Sequence, residues 1–146
     1  FSLCYKFRRQ PRIMVECESK RIGRVVLPAI FFAAMQKARR VLIYDSMENR
    51  IKRLIDTYTL ESTPDSMAKL SAALEKLRPR LGHNKVNYLL AALGNKDYKT
   101  VVYHLLVDYY DPLYKYPDGP SPEYELSLNA GFQEETYQQL KHLLTC

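Results

Sequence analysis

At 146 residues and 47% apolar composition, the chain is long enough to bury a core and too apolar to remain disordered. Its net charge of +6 is unevenly spread, with 18 Lys/Arg against 8 Asp/Glu in residues 1–85 and 4 against 8 in residues 86–146. That asymmetry points to a polyanionic partner such as nucleic acid or a phosphorylated ligand. Three scattered cysteines without a CxxC pair exclude a disulfide framework and a zinc site. No apolar run is long enough for a signal-peptide core or a bilayer span, so a reducing, cytoplasmic setting with no membrane partner is expected.

In chain order, "RIMVE" (12–16) is short, apolar and bounded by Pro11 and a polar stretch, which predicts a buried strand. Pro28 suits the start of a helix continuing through "AIFFAAMQKA", with Ile30, Phe31, Ala34 and Met35 on one side. "RVLIYD" (40–45) predicts a second buried strand, and Ser46 an N-cap for a helix bearing Met47, Ile51, Leu54, Ile55 and Tyr58 on one face. Strand, helix, strand, helix with short connections is the pattern of a parallel α/β sheet.

Thr63-Pro64-Asp65 begins a helix with Met67, Leu70, Leu74 and Leu77 in one stripe, ending near Pro79 and Gly82. Asn84 is the expected cap of the next helix, which carries Val86, Leu89, Leu90 and Leu93 and closes at Gly94. Asp97 caps a third, burying Val101, Val102, Leu105, Leu106 and Tyr109. "YYDPLYKYPDGPSP" (109–122) reads as a loop, "YELSL" (124–128) as a strand, and "FQEETYQQLKHLL" as a closing amphipathic helix. No repeat or domain boundary stands out.

The five glycines never take the G-x-x-x-x-G-K-[ST] spacing of a phosphate loop, and G-x-S-x-G and H-E-x-x-H are absent. The residues therefore offer no complete catalytic constellation, and no metal site.

Two stretches carry a family resemblance. "VECESKRIGRVVLP" (15–28) is similar to the V-E-D-E-S-R-x-I-G-x-x-x-L-P segment of bacterial tRNA 2-selenouridine synthases. "LLVDYYDPLYKYP" (105–117) resembles their L-x-x-Y-Y-D-P-x-Y-x-Y segment. Between them, "LRPRLGHNKVNYLLAAL" is similar to the K-R-L-G-x-x-R helix of the family, and "YDSMENRIKRLIDTY" fits its R-I-x-R-L-x-x-x-Y strand–helix. The ordered set spans roughly residues 12–117.

The resemblance implies an α/β fold: an incomplete P-loop kinase-like, three-layer parallel sheet with a helical insertion at 65–110. Residues 1–146 would be the C-terminal segment of a P-loop NTPase-like domain. An upstream rhodanese domain with the catalytic cysteine, and a Walker A segment, would complete the protein or its split partner. The implied activity replaces the sulfur of wobble 2-thiouridine in tRNA by selenium through a geranylated intermediate, with selenophosphate and geranyl diphosphate as co-substrates. In such sheets the strand feeding the phosphate loop lies between the two that "RIMVE" and "VLIYD" resemble. Without it both would present unpaired edges, so the isolated 146 residues are expected to be poorly stable.

Glu16, Glu18 and Ser19 follow the first strand, where open α/β sheets bind ligands; they are candidates for a Mg²⁺-bound water or a phosphorylated group of a nucleotide. Arg21 and Arg24 are candidates for diphosphate or tRNA-backbone contacts. Cys17 stands where the family pattern has Asp, which weakens a metal role there. Arg50 and Arg53, three apart on one helix, resemble lid arginines over phosphates. Arg78 and Arg80 straddle Pro79 within reach of a polyanion. Tyr109, Tyr110, Tyr114 and Tyr116 suit base stacking or an apolar slot for a geranyl chain. Asp111 before Pro112 fixes a turn, and His83, His104 and His142 read as incidental. The catalytic residue is not identifiable. Two other readings stay open: a P-loop small-molecule kinase fragment, and a nonenzymatic RNA-binding or adaptor module.

Overall fold

The computed structural model describes residues 12–16, 20–22, 24–59, 64–117 and 119–145, and the chain divides into two compact units, 1–44 with 120–146, and 45–119. In the first unit, β1 (Arg21–Ile22) and β2 (Val25–Val26) form a short antiparallel ladder, pairing Arg21 with Val26. Helix α1 (Ala29–Lys37) starts after Pro28, whose φ of −54° suits a helix entry and whose missing N–H would have had no helical partner. Strand β3 (Val41–Tyr44) pairs in parallel with β4 (Leu126–Asn129), in register from Val41–Leu126 to Tyr44–Asn129. The closing helix α8 (Gln133–Thr145) packs on β4.

One expectation for this unit fails. Residues 12–16 form no strand, and Ile13, Met14 and Val15 are exposed. Along α1, Met35 is buried but Ile30 is 84% exposed. An apolar run becomes a buried strand only where another strand or helix covers it; here Arg12 donates to the Leu143 carbonyl of α8 at 2.8 Å, but Ile13, Met14 and Val15 stay exposed. The small parallel sheet is present; the wider three-layer sheet is not among the described elements.

The second unit is helical. Ser46 caps α2 (Met47–Thr59), its Oγ accepting the Asn49 N–H at 3.2 Å. Helix α3 (Pro64–Glu75) is followed by a single turn, α4 (Arg78–Leu81), and by Gly82 at φ +80°. That positive φ is one a β-carbon would oppose, and it turns the chain directly into α5 (His83–Gly94), so Gly82, not Asn84, occupies the N-cap. Asp97 caps α6 (Tyr98–Leu105), accepting the Thr100 N–H at 3.1 Å. The core gathers Leu74, Val86, Leu89, Ala92, Leu93 and Val101, with Met67, Leu70 and Leu77 packed against it, so the predicted stripes meet as expected.

The tyrosine-rich stretch is not a loop. Leu106–Tyr110 continues α6 as a π-helical segment, and α7 (Asp111–Tyr114) follows. The Asp111 N–H donates to the Leu106 carbonyl five residues back, while Pro112 has no N–H for the carbonyl four residues before it. Lys115, at φ +50°, closes α7 in the left-handed region.

Candidate functional site

Within the helical unit, two stretches far apart in sequence meet at a cleft of about 650 Å³, bordered by Asp45, Ser46, Arg50, Tyr103, Asp111 and Tyr116 among others. Asp45 directly follows β3 and is 6% exposed. Its carboxylate accepts the Ser46 N–H at 2.8 Å, the Asn49 amide at 2.9 Å and an Arg53 Nη2 proton at 2.5 Å. Burial pushes this carboxyl up, but the bonds from Asn49, Ser46 and Arg53 outweigh it and hold the group below its ordinary value.

One turn along α2, Arg50 grips Asp111 with both guanidinium nitrogens, at 2.9 and 2.5 Å. The two side chains are each 15% exposed. The guanidinium also lies 4.2 Å from the centre of the Tyr116 ring, and the Tyr116 hydroxyl accepts the Asp45 N–H at 3.1 Å. Burial pushes the Tyr116 phenol up, against the opposing Asp45 N–H and Arg50 charge. The result is a closed polar circuit tying the start of α2 to α7 and the residues after it.

Arg50, Arg53 and Asp111 thus enter ion pairs that the sequence reading did not include. Arg50 and Arg53 are engaged by carboxylates of their own unit, and Asp111 anchors Arg50 in addition to opening α7. Asp45 had no place among the candidates. A strand-ending Asp before a Ser N-cap was the available signal; the Arg50–Asp111 pairing, across 61 residues, had none.

A second set of predicted residues lies together on the same unit. The Arg80 guanidinium is 5.8 Å from the centre of the Tyr109 ring, Tyr109 meets Tyr110 edge-on at 4.9 Å, and Tyr110 and Tyr114 lie nearly parallel, 6° apart at 6.3 Å. Tyr110 and Tyr114 are 43% and 46% exposed. Helical spacing of four residues across the π-helical junction sets these two rings on one side.

Of the remaining candidates, Glu16 lies in the irregular, exposed stretch 12–16. Arg21 is in β1, and Arg24 is exposed in the turn before β2. Glu18 and Ser19, with Cys17, lie outside the described residues. No group of three His, Cys, Asp or Glu among the described residues is arranged to hold a metal ion, and Asp45 and Asp111 are each engaged by arginine, so the cleft does not fit one. No helix among the described residues is long and apolar enough to cross a membrane.

Comparison with known proteins bears on the whole chain. Residues 2–143 match the family described as the tRNA 2-selenouridine synthase AAA domain. The tRNA 2-selenouridine synthase of Psychromonas ingrahamii is 30% identical over 91% of this chain and 41% of its own length. Those of Alcanivorax borkumensis and Photobacterium profundum are 30% and 31% identical, over 71% and 69% of this chain and 35% and 34% of their own lengths. The chain thus spans about a third to two-fifths of these curated relatives. No solved structure matches it. The chain belongs to the tRNA 2-selenouridine synthase AAA domain family.

Proposed function

We propose that this chain is part of a tRNA-modifying sulfur/selenium transferase that converts wobble 2-thiouridine to 2-selenouridine through a geranylated intermediate. Selenophosphate and geranyl diphosphate are the co-substrates on this reading, and the reactive cysteine and Walker A segment belong to an upstream rhodanese and P-loop portion in a cytoplasmic protein. The chain supplies tRNA and phosphate contacts from a P-loop-like α/β domain, with residues 65–110 as its helical insertion. A nucleotide with Mg²⁺ and the anionic groups of the substrates are assigned to Glu16, Glu18, Ser19, Arg21 and Arg24.

The observation that carries the reading is the run Arg80–Tyr109–Tyr110–Tyr114, a cation beside one half-buried and two exposed aromatic rings on one unit. Aromatic faces stack on unpaired bases and arginine meets the phosphate backbone, the combination used for single-stranded nucleic acid. Arg50 also acts as a positioning residue, holding α2 against the segment that bears Tyr110 and Tyr114, while Arg53 pairs with Asp45 at the start of its own helix. In the full-length protein, Tyr110→Ala should weaken tRNA binding roughly fivefold without altering its salt dependence. Arg80→Ala should weaken binding and lower the slope of log affinity against log salt by about one. Unchanged affinity in both variants would remove this surface from the proposal.

A further inference from the structure

A second hollow of the helical unit, about 800 Å³, lies at the start of α5 and is bordered by Leu81, Asn84, Lys85, Tyr88 and His104 among others. His104 is not incidental here. Its Nδ1 lies 3.1 Å from Asp108 Oδ2 and 2.9 Å from Lys85 Nζ, and Lys85 Nζ lies 2.7 Å from the same carboxylate oxygen. Nδ1 therefore faces both a donor, the Lys85 ammonium, and an acceptor, the Asp108 carboxylate, and Nε2 is the ring nitrogen left outside this cluster. Tyr88 and Tyr103 meet the imidazole edge-on at 5.6 and 5.2 Å, fixing its plane. Among the described residues Nε2 has no partner, and neither does the Asn84 amide.

Charge decides what this hollow suits. Lys85 is neutralised by Asp108 at 2.7 Å, and Arg78 nearby is paired with Glu75 and donates to Asn87 Oδ1 at 2.9 Å. A phosphate entering here would find the attraction of each cation offset by its carboxylate. What remains includes the apolar Leu81, the half-exposed ring of Tyr88, an amide offering both a donor and an acceptor, and the imidazole Nε2 of His104. A flat, uncharged heteroaromatic ring with a mixed hydrogen-bonding edge meets all of these at once.

We infer that this hollow receives an unstacked nucleobase of a single-stranded RNA segment, stacked on Tyr88 and hydrogen-bonded along its edge by Asn84 and by His104 Nε2. Asp108 and Lys85 act as positioning residues that hold the imidazole through Nδ1. The inference rests on the proposal that the chain contacts RNA, and adds a base-reading position to the Arg80–Tyr114 surface.

Fluorescence anisotropy of the full-length protein with a short labelled single-stranded RNA, and with an abasic strand of equal length, tests it. Tyr88→Leu and Asn84→Ala alter exposed side chains and leave the core intact. Each should weaken the base-bearing strand about five- to tenfold and leave the abasic strand's affinity unchanged. If the base-bearing RNA binds but both variants bind it as tightly as the unaltered protein, this inference falls and the RNA reading stands. If the variants weaken the abasic strand equally, the hollow contacts phosphate and the inference also falls. If the unaltered protein binds neither strand, the RNA reading falls and takes the inference with it.

Discussion

The two units of this chain bury their apolar residues very differently. In the helical unit six buried side chains from α3, α5 and α6 form a continuous cluster, with Val86 and Leu89 fully enclosed. In the sheet unit Met35, Leu42 and Leu128 are buried, while Val25, Val26, Ile30, Phe31 and Phe132 are exposed. A helix hairpin closes its core with residues near in sequence, because each apolar stripe finds its partner a few turns away. A sheet depends on strands that can come from anywhere in the polypeptide, and the curated relatives are more than twice as long as this chain. The helical unit is therefore the more self-sufficient of the two.

The widest expected gap between them lies in truncation of apolar residues. Leu89→Ala removes a fully enclosed side chain and should cost about 3 kcal/mol or more, because the surrounding helices relax only partly into the cavity. Ile30→Ala, at a position 84% exposed, should change stability by less than about 0.5 kcal/mol. Urea unfolding followed by circular dichroism measures both, and comparable losses would erase the distinction.

The same contrast explains how much could be read from the sequence. The stripes Met67–Leu70–Leu74–Leu77 and Val86–Leu89–Leu93 were legible because helical periodicity is local, as was the cap at Asp97. "RIMVE" misled because a short apolar run states a preference for burial without saying what will cover it. "YYDPLYKYP" misled in the opposite direction: Pro112 and the tyrosines read as a loop, yet proline is tolerated in a first helical turn and the π-helical segment absorbs its missing N–H. At the site, the arginines and tyrosines were visible as residue types. Most of their partners were not, since neither Arg50–Asp111 nor Lys85–Asp108 follows from any spacing, although His104 and Asp108 stand four apart on one helix.

Ion pairs sharpen the comparison at an intermediate scale. Asp111→Ala would leave the Arg50 guanidinium 15% exposed and without its carboxylate, at an expected cost of about 3 kcal/mol. Replacing both partners, as in Arg50→Met with Asp111→Leu, should recover most of that loss, since the penalty comes mainly from the stranded charge. Arg39–Glu125 in the sheet unit has similar geometry, but its side chains are 53% and 47% exposed. Arg39→Ala should therefore cost between about 0 and 1 kcal/mol. A double-mutant cycle on each pair decides the matter, and equal coupling energies would show that burial does not set their strength.

The smallest effect, and the one most sensitive to conditions, is acid response. Asp45 and Glu125 are both held below their ordinary values. For Asp45 the Asn49, Ser46 and Arg53 bonds overcome the opposing effect of burial; for Glu125 the Arg39 hydrogen bond is the leading cause. A carboxyl depressed by folding adds stability that is fully present above the ordinary carboxylate range of about 4 and is lost as pH falls through the lower folded value. Asp45→Asn and Glu125→Gln should each flatten the acid limb of a stability–pH curve, with the difference from the unaltered chain narrowing below that range. Salt separates them. Glu125 and Arg39 are open to solvent, so raising ionic strength should remove most of the Glu125 contribution. Asp45 is enclosed and two of its three bonds come from an amide and a backbone N–H, which screening barely touches, so its share of the acid limb should persist. If salt flattened both curves alike, the Asp45 carboxylate would have to be held chiefly by the charge of Arg53 through solvent.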